Sequence, residues 1–339
     1  MTRDILEKLL RGEDLAREEA SSLMDRIMDG ELTDVQIAGI LVAIRAKGAT
    51  VDEIAGFAAT MRDRAVQVKP KRNNLVDTCG TGGDGSGTFN ISTAAALVAA
   101  GAGVAVAKHG NRAISSKCGS SDVLDALGVS LVPANRVAEV IDRVGIGFMF
   151  APAHHPATRH AVTARRELGV RTLFNFLGPM TNPALVKRQL MGVFDPDATE
   201  TAAEVLRSLG SERAYVVHGH DGADEVSIVS DTRVTMLAEG KIDTFTFAPE
   251  SVGLERASAE SIAGGDPAEN ATTIESVLNG ETSPRRDAVV LNAGFVLSVA
   301  GHTDSIDDGV RAAEAAIDSG RARDILTSLR AVTGELAEN

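Results

Sequence analysis

The stretch DTCGTGGDGSGTFNISTAAALVAAGAGVAVAKHGNRAISSKCGSSDVLDAL, Asp77 to Leu127, decides how the chain is read. An apolar lead-in, Leu75 and Val76, predicts a strand that breaks at Cys79 into five glycines within the eight residues Gly80 to Gly87. Glycine lets backbone N–H groups approach an anion closely. Asn90, Ser92 and Thr93 stand ahead of the alanine-rich run Ala94 to Ala100, so a helix mouth adds N–H groups and hydroxyls at the same place. Gly101 and Gly103 end that helix. Val104 to Ala107 reads as a second, buried parallel strand that delivers Lys108, His109, Asn111, Arg112, Ser115, Ser116 and Ser120 into another loop before another helix. Two strand ends thus face one crevice, a phosphate-binding floor.

Charge narrows the ligand. From Gly85 to Ser121 there is no Asp or Glu, yet Lys108, Arg112 and Lys117 occur there in a chain of formal net charge −13. Gly80, Gly82 and Gly85 satisfy G-x-G-x-x-G, but a dinucleotide site wants an acidic residue about 20 positions further on. Lys108 lies near that spacing instead. No G-x-x-x-x-G-K-[ST] occurs, which disfavours a P-loop. A phosphate that is not part of a nucleotide fits better.

Further along, Ala214 to His218 predicts a strand whose loop, His220 to Glu225, carries the adjacent carboxylates Asp224 and Glu225. Such a pair is commonly a solvated surface feature, but it can also hold a hard cation through oxygen. Ala151-Pro152-Ala153-His154-His155-Pro156 invites a zinc reading. His155 and His160 are off the i, i+4 spacing of ligands on one helix face, which disfavours it. His154 is expected at a pocket edge or as a helix cap.

Gly80-Thr81-Gly82-Gly83-Asp84, Asn90-Ile91-Ser92-Thr93, Lys108-His109-Gly110-Asn111-Arg112, Ser115-Ser116 and Gly119-Ser120 together resemble the anthranilate phosphoribosyltransferase family of tryptophan biosynthesis. Later blocks resemble it in the same order: Arg165 to Thr172, Leu177-Gly178-Pro179, Thr181-Asn182-Pro183, Asp224-Glu225, Arg285-Arg286-Asp287 and Leu291-Asn292-Ala293. Ser121 departs from the family's usual Ala, a small change. The resemblance implies an enzyme that transfers 5-phosphoribose from phosphoribosyl pyrophosphate to the amine of anthranilate. It implies donor binding by Gly80, Gly83, Asp84, Thr88, Asn90, Ile91, Ser92, Thr93, Lys108, His109, Gly110, Asn111, Arg112, Ala113, Ile114, Ser115, Ser116 and Ser120. Anthranilate would meet Gly80, Asn111 and Arg166. Ser92, Asp224 and Glu225 would hold Mg²⁺, two ions per subunit, and the protein would be a homodimer. No activated nucleophile is needed, because the aromatic amine is one already.

Composition and pattern set the architecture. At 339 residues and 44% hydrophobic, the chain can bury a full core. With 33 Gly and 3% aromatics, packing rests on Ala, Val, Leu and Ile, which suits helices laid on a parallel sheet. Residues 2 to about 66 read as helices, with Thr33 as a cap and Thr50 with Glu53 as a capping box. The expected fold is α/β. A small all-helical subdomain, 1–68, is joined by helices near 160–185 and serves dimerisation, and 69–339 forms a large α/β subdomain with a mostly parallel central sheet. No apolar run reaches the roughly 18 residues of a membrane span, and the N-terminus lacks signal-peptide design, so a cytoplasmic protein is expected. Cys79 and Cys118 fall in glycine loops, which argues against a structural disulfide. Two alternatives remain: a pyrimidine nucleoside phosphorylase of the same fold, and a non-catalytic nucleic-acid-binding relative. Lys108-His109-Gly110-Asn111 counts against the first. The net charge and the absence of a basic stripe count against the second.

Overall fold

The computed structural model describes residues 2–113 and 117–337. Four helices come first: α1 (Thr2–Leu10), α2 (Arg17–Met28), α3 (Asp34–Lys47) and α4 (Val51–Asp63). Thr33 and Thr50 accept from the N–H groups of Gln36 and Glu53, whose side chains reach back to the capping residues, so both helix starts are satisfied locally. Leu23, Ile27, Ile40, Ile44, Ile54 and Phe57 recur at helical spacing and are buried together.

The remainder begins with β1 (Val76–Gly80), α5 (Ile91–Gly101), β2 (Val106–Gly110), α6 (Ser120–Ala126), α7 (Val137–Val144) and β3 (Ile146–Phe150). Then α8 (Ala151–His154), α9 (Arg159–Leu168) and α10 (Leu173–Leu177) leave the sheet before β4 (Arg188–Gly192), α11 (Ala198–Ser208) and β5 (Arg213–Gly219). The hairpin β6 (Thr232–Ala238) and β7 (Lys241–Phe247) closes the sheet, and α12 (Pro267–Leu278), α13 (Pro284–Val299), α14 (Ile306–Asp318) and α15 (Arg321–Ala337) complete the chain.

The sheet order is β3-β2-β1-β4-β5-β6-β7. The first five strands are parallel, and β6 and β7 add antiparallel at one edge. Strand order reverses at β1: the chain builds outward through β2 and β3, then returns to β1's other side with β4. In open sheets of this kind, ligands bind outside the carboxyl ends of the strands at such a reversal. Leu97, Val98, Phe295 and Val296 belong to the core over one face of the sheet. On the other, Met191 and Val216 share a core with the N-terminal helices. Ala161 and Ala164 of α9 and Leu173 and Phe174 of α10 join that second core, so the excursion between β3 and β4 packs back onto the helical block.

Three elements differ from the sequence expectation. Strand β2 runs on through Lys108, His109 and Gly110, which are therefore strand residues rather than loop residues. Strand β4, Arg-Gln-Leu-Met-Gly, has no counterpart in the reading because its first two residues are polar and it lacks a continuous apolar run. Helix α11 follows it and was equally unanticipated. Helix α12 starts at Pro267, where Asp266 accepts from the Glu269 N–H and Pro suits the first turn.

Candidate active site

The glycine loop is shaped by backbone conformation and by a carboxylate pressed against it. Gly82, Gly83, Gly85 and Gly87 all take left-handed φ, from 67° to 78°. At Gly80 the constraint is space: a Cβ there would lie 2.2 Å from Asp224 Oδ2. That carboxylate oxygen accepts from Gly82 N–H at 2.7 Å. Glu225 Oε1 accepts from Ser92 N–H, at the mouth of α5, at 3.1 Å. The two adjacent carboxylates therefore hold both ends of the loop.

A cavity of about 280 Å³ lies over this floor. Its lining includes Gly80, Gly83, Asp84, Thr88, Asn90, Ser92, Thr93, Lys108, His109, Gly110, Asn111, Arg112, Ala113, Ser120, Asp224 and Glu225. Ile91 is a different case: its side chain is 3% exposed and packs in the core, so only its backbone stands near the helix mouth. Ile114, Ser115 and Ser116 lie outside the described residues. Lys108, also 3% exposed, donates from Nζ to the Thr78 carbonyl at 2.6 Å and to Ser92 Oγ at 3.3 Å, so its ammonium stands at the cavity floor.

The carboxylates are under electrostatic pressure. Burial, then the Asp84 charge, pushes the Asp224 carboxyl above the usual range; burial, then Asp224, does the same to Glu225. Asp224 N–H donates to Asp84 Oδ2 at 3.3 Å, which brings the third carboxylate close. A hard divalent cation would relieve this clustering, and an all-oxygen donor set suits Mg²⁺. Among the described residues no three His, Cys, Asp or Glu side chains converge to hold a metal by themselves. The donor set therefore fits a cation that completes its shell with water and substrate phosphate. His154 and His155 belong to no such group among the described residues. His154 instead places Nδ1 2.8 Å from the Val66 carbonyl.

A second cavity, about 340 Å³, adjoins the first. Cys79, Gly80, Thr81, His109, Gly110, Asn111 and Asn175 line both. Met61, Pro152, Phe174 and Pro179 give the second an apolar wall. His109 and His155 stand in it with ring centroids 5.3 Å apart. Burial lowers the affinity of both rings for a proton, which favours their neutral form. The Arg165 guanidinium lies 4.9 Å from the Phe174 ring centroid at the same wall.

This corrects the expectation for Arg166, which is exposed and does not line the cavity. On α9, Ala161 and Ala164 face the core, and Arg165, four residues after Ala161, shares that side. One residue further on, about 100° of helix rotation carries Arg166 to solvent. Met61, Phe174 and Asn175 come from segments distant in sequence and had no local signal. The i, i+4 spacing from Ala161 could have identified Arg165.

Comparison with known proteins agrees with this geometry. The family model for the helical bundle domain of a glycosyl transferase family matches residues 3–65, and that for its a/b domain matches residues 72–323. An anthranilate phosphoribosyltransferase of Moorella thermoacetica is 53% identical, with 95% of each chain covered. The crystal structure of the enzyme of that name from Thermus thermophilus superposes with a TM-score of 0.93 at 46% identity, covering 97% of this chain and 99% of that one. The Saccharomyces cerevisiae enzyme, solved with phosphoribosyl pyrophosphate and Mg, gives a TM-score of 0.91 at 27% identity, covering 99% and 98%. The chain belongs to the anthranilate phosphoribosyltransferase family.

Proposed function

We propose that this protein transfers the 5-phosphoribosyl group from phosphoribosyl pyrophosphate to the amine of anthranilate, as an enzyme of tryptophan biosynthesis. The carrying observation is the junction of a polar, carboxylate-floored cavity with an apolar, arginine-bearing one across Gly80, His109 and Asn111. A donor in the first and an acceptor in the second would meet there.

In this reading the bond from ribose C1 to the pyrophosphate oxygen breaks and a bond from C1 to the anthranilate nitrogen forms. The nitrogen then loses a proton. The glycine-loop N–H groups, the mouth of α5 and Lys108 bind the departing pyrophosphate, whose charge grows as C1 becomes cationic. Asp84, Ser92, Asp224 and Glu225 would hold Mg²⁺, which supplies further charge neutralisation to that leaving group. Two ions per subunit form part of the proposal, resting on the spread of these oxygen donors over the cavity floor. Asn111, His109 and Arg165 face the acceptor. A guanidinium pairs with a planar carboxylate through two parallel hydrogen bonds and leaves the neighbouring amine free to attack. Most of the rate would come from positioning and leaving-group stabilisation.

Two further calls belong here. A homodimer is proposed from apolar side chains left open on the helical block, Leu10, Val35, Val42 and Val162. A cytoplasmic setting is proposed from the Cys79 thiol, which is in no disulfide and suits a reducing compartment. No helix among the described residues is long and apolar enough to cross a membrane.

The test is loss of anthranilate fluorescence on mixing enzyme, phosphoribosyl pyrophosphate and Mg²⁺. Saturable turnover that requires all three is the expected result. Phosphate-dependent cleavage of a pyrimidine nucleoside with no anthranilate turnover would assign the chain to phosphorolysis instead.

A further inference from the structure

Strands β1 and β2 adjoin in the sheet, yet they pair at one register position only, Val76 with Val106. Their outer partners do otherwise: β1 pairs with β4, and β2 with β3, over five positions each. Past Val76 the two strands part, and the backbone groups freed by the parting are buried. Buried backbone polar groups require partners. Side chains supply them. Asp77, fully buried, accepts the His109 N–H on Oδ1 at 3.1 Å. Asn182, 1% exposed, donates from Nδ2 to the Ala107 carbonyl at 2.8 Å. The same amide donates to Asp77 Oδ2 at 2.7 Å. On β1, the Thr78 carbonyl is taken by Lys108 Nζ.

Lys108 and His109 are consecutive strand residues, so their side chains leave opposite faces of the sheet. One reaches the Ser92 hydroxyl in the donor cavity, while the other's ring stands in the acceptor cavity. The aim of both is set by where the end of β2 lies relative to β1. We propose that Asp77 and Asn182 form a wedge that holds β1 and β2 apart and so positions Lys108 against the donor and His109 against the acceptor. They are positioning residues, since neither lines either cavity. Their action on the reaction rests on the proposed function. Asn182 also ties the segment after α10 to the wedge, because its Oδ1 accepts from Ala184 N–H at 2.8 Å. Pro179 and Thr181 of that segment line the acceptor cavity, so one hydrogen-bonded pair spans both sides of the site.

Asp77→Asn preserves shape but sets a second amide against Asn182, which breaks the donor–acceptor match. The double variant Asp77→Asn, Asn182→Asp restores an amide–carboxylate pair with its sense reversed. Expected for Asp77→Asn is a fall in kcat of about tenfold or more per folded molecule, with both KM values moving much less, and partial recovery in the double variant. Amide hydrogen exchange over residues 106–112 should lose protection in Asp77→Asn and regain part of it in the swap. If Asp77→Asn does not fold, Asn182→Ser carries the same expectations with a milder loss. Wild-type kcat and unchanged exchange in the folded single variants would overturn the wedge, even with a lowered Tm. An exchange change together with wild-type protein inactive on anthranilate would uphold the wedge and refute the proposed reaction.

Discussion

Arg165 is a half-buried cation whose guanidinium lies over a ring, with no hydrogen bond or ion pair to a carboxylate among the described residues. Burial lowers its proton affinity, as expected of a charge waiting for an anionic partner. Arg165→Ala should weaken anthranilate by roughly 10- to 150-fold in KM while sparing the donor, since a charge-assisted hydrogen bond contributes about 1.5–3 kcal/mol. Arg166→Ala should stay within about twofold, as surface substitutions do. Steady-state kinetics on the two variants decides, and a reversed outcome would restore Arg166 to the acceptor. The motif shows an arginine pair; helix phase, fixed by packing of Ala161 and Ala164, selects between them. That phase needs the neighbouring helices, which a linear motif does not contain. The glycine loop was legible because its constraint is local, four left-handed residues in a row of small ones.

The carboxylate pair gives a second test at this scale. Asp224→Asn with Glu225→Gln removes the clustered charge that burial and Asp84 make unfavourable. Without metal the double variant should be as stable as wild type or more so. The rise in Tm that wild type shows with Mg²⁺ and pyrophosphate together should disappear. An undiminished rise would remove these two residues from the metal assignment. His155 supplies a pH test. Its ring nitrogens make no hydrogen bond of good geometry, although the Thr181 and Met61 carbonyls face it. Burial, then His154, lowers its pKa from 6.5 to about 4. Above pH 6.5 the ring is neutral in folded and unfolded chains and pH has no effect through it. Between pH 6.5 and 4 only the unfolded chain takes up the proton, so stability falls with pH by up to about 1.4 kcal/mol per unit. His155→Gln should flatten that fall in urea titrations at pH 7, 6 and 5. An identical slope would show that His155 is already protonated in the folded protein across this window.

Among the elements, α4 shares an apolar core with the sheet and is also hydrogen-bonded to that side through Arg62. Arg62, 8% exposed, donates from Nε to the Met180 carbonyl at 2.6 Å and from Nη1 to the Leu209 carbonyl at 3.3 Å. It thus links the helical block to the segment after α10 and to the end of α11. Arg62→Ala leaves both carbonyls without this partner and should cost about 2–4 kcal/mol, read as a lower urea midpoint at unchanged m. A loss below about 0.5 kcal/mol, the range of ordinary surface changes, would mean that water replaces the guanidinium freely. The helical elements were legible because capping boxes and 3.6-residue periodicity are written locally. Strand β4 was not, because its leading polar residues are satisfied by carbonyls outside the strand: Gln189 donates to the Pro179 carbonyl at 2.7 Å and Arg188 to the Ala300 carbonyl. A polar residue held in this way has no signature in a hydropathy pattern.

For the whole molecule, the order of the motifs implied two subdomains, but only the fold shows how the apolar-walled cavity is assembled between them. Met61 comes from the fourth helix, Phe174 from the excursion that returns to it, and His109 from the sheet. A second copy of the chain is suggested by the surface of the helical block. Single exposed apolar residues are ordinary. Val35 and Val42, 83% and 46% exposed, are seven residues apart and so share one face of α3. α3 packs against both α1, which exposes Leu10, and α9, which exposes Val162. A two-fold contact through this face would bury the same residues on both copies. Val35→Glu with Val42→Glu would set like charges opposite one another across such an axis. Sedimentation velocity at micromolar concentration should then change from dimer to monomer, with kcat nearly unchanged because no cavity residue is altered. A double variant that sediments with wild type as a dimer would move the contact elsewhere, and a monomeric wild type would leave this face to solvent.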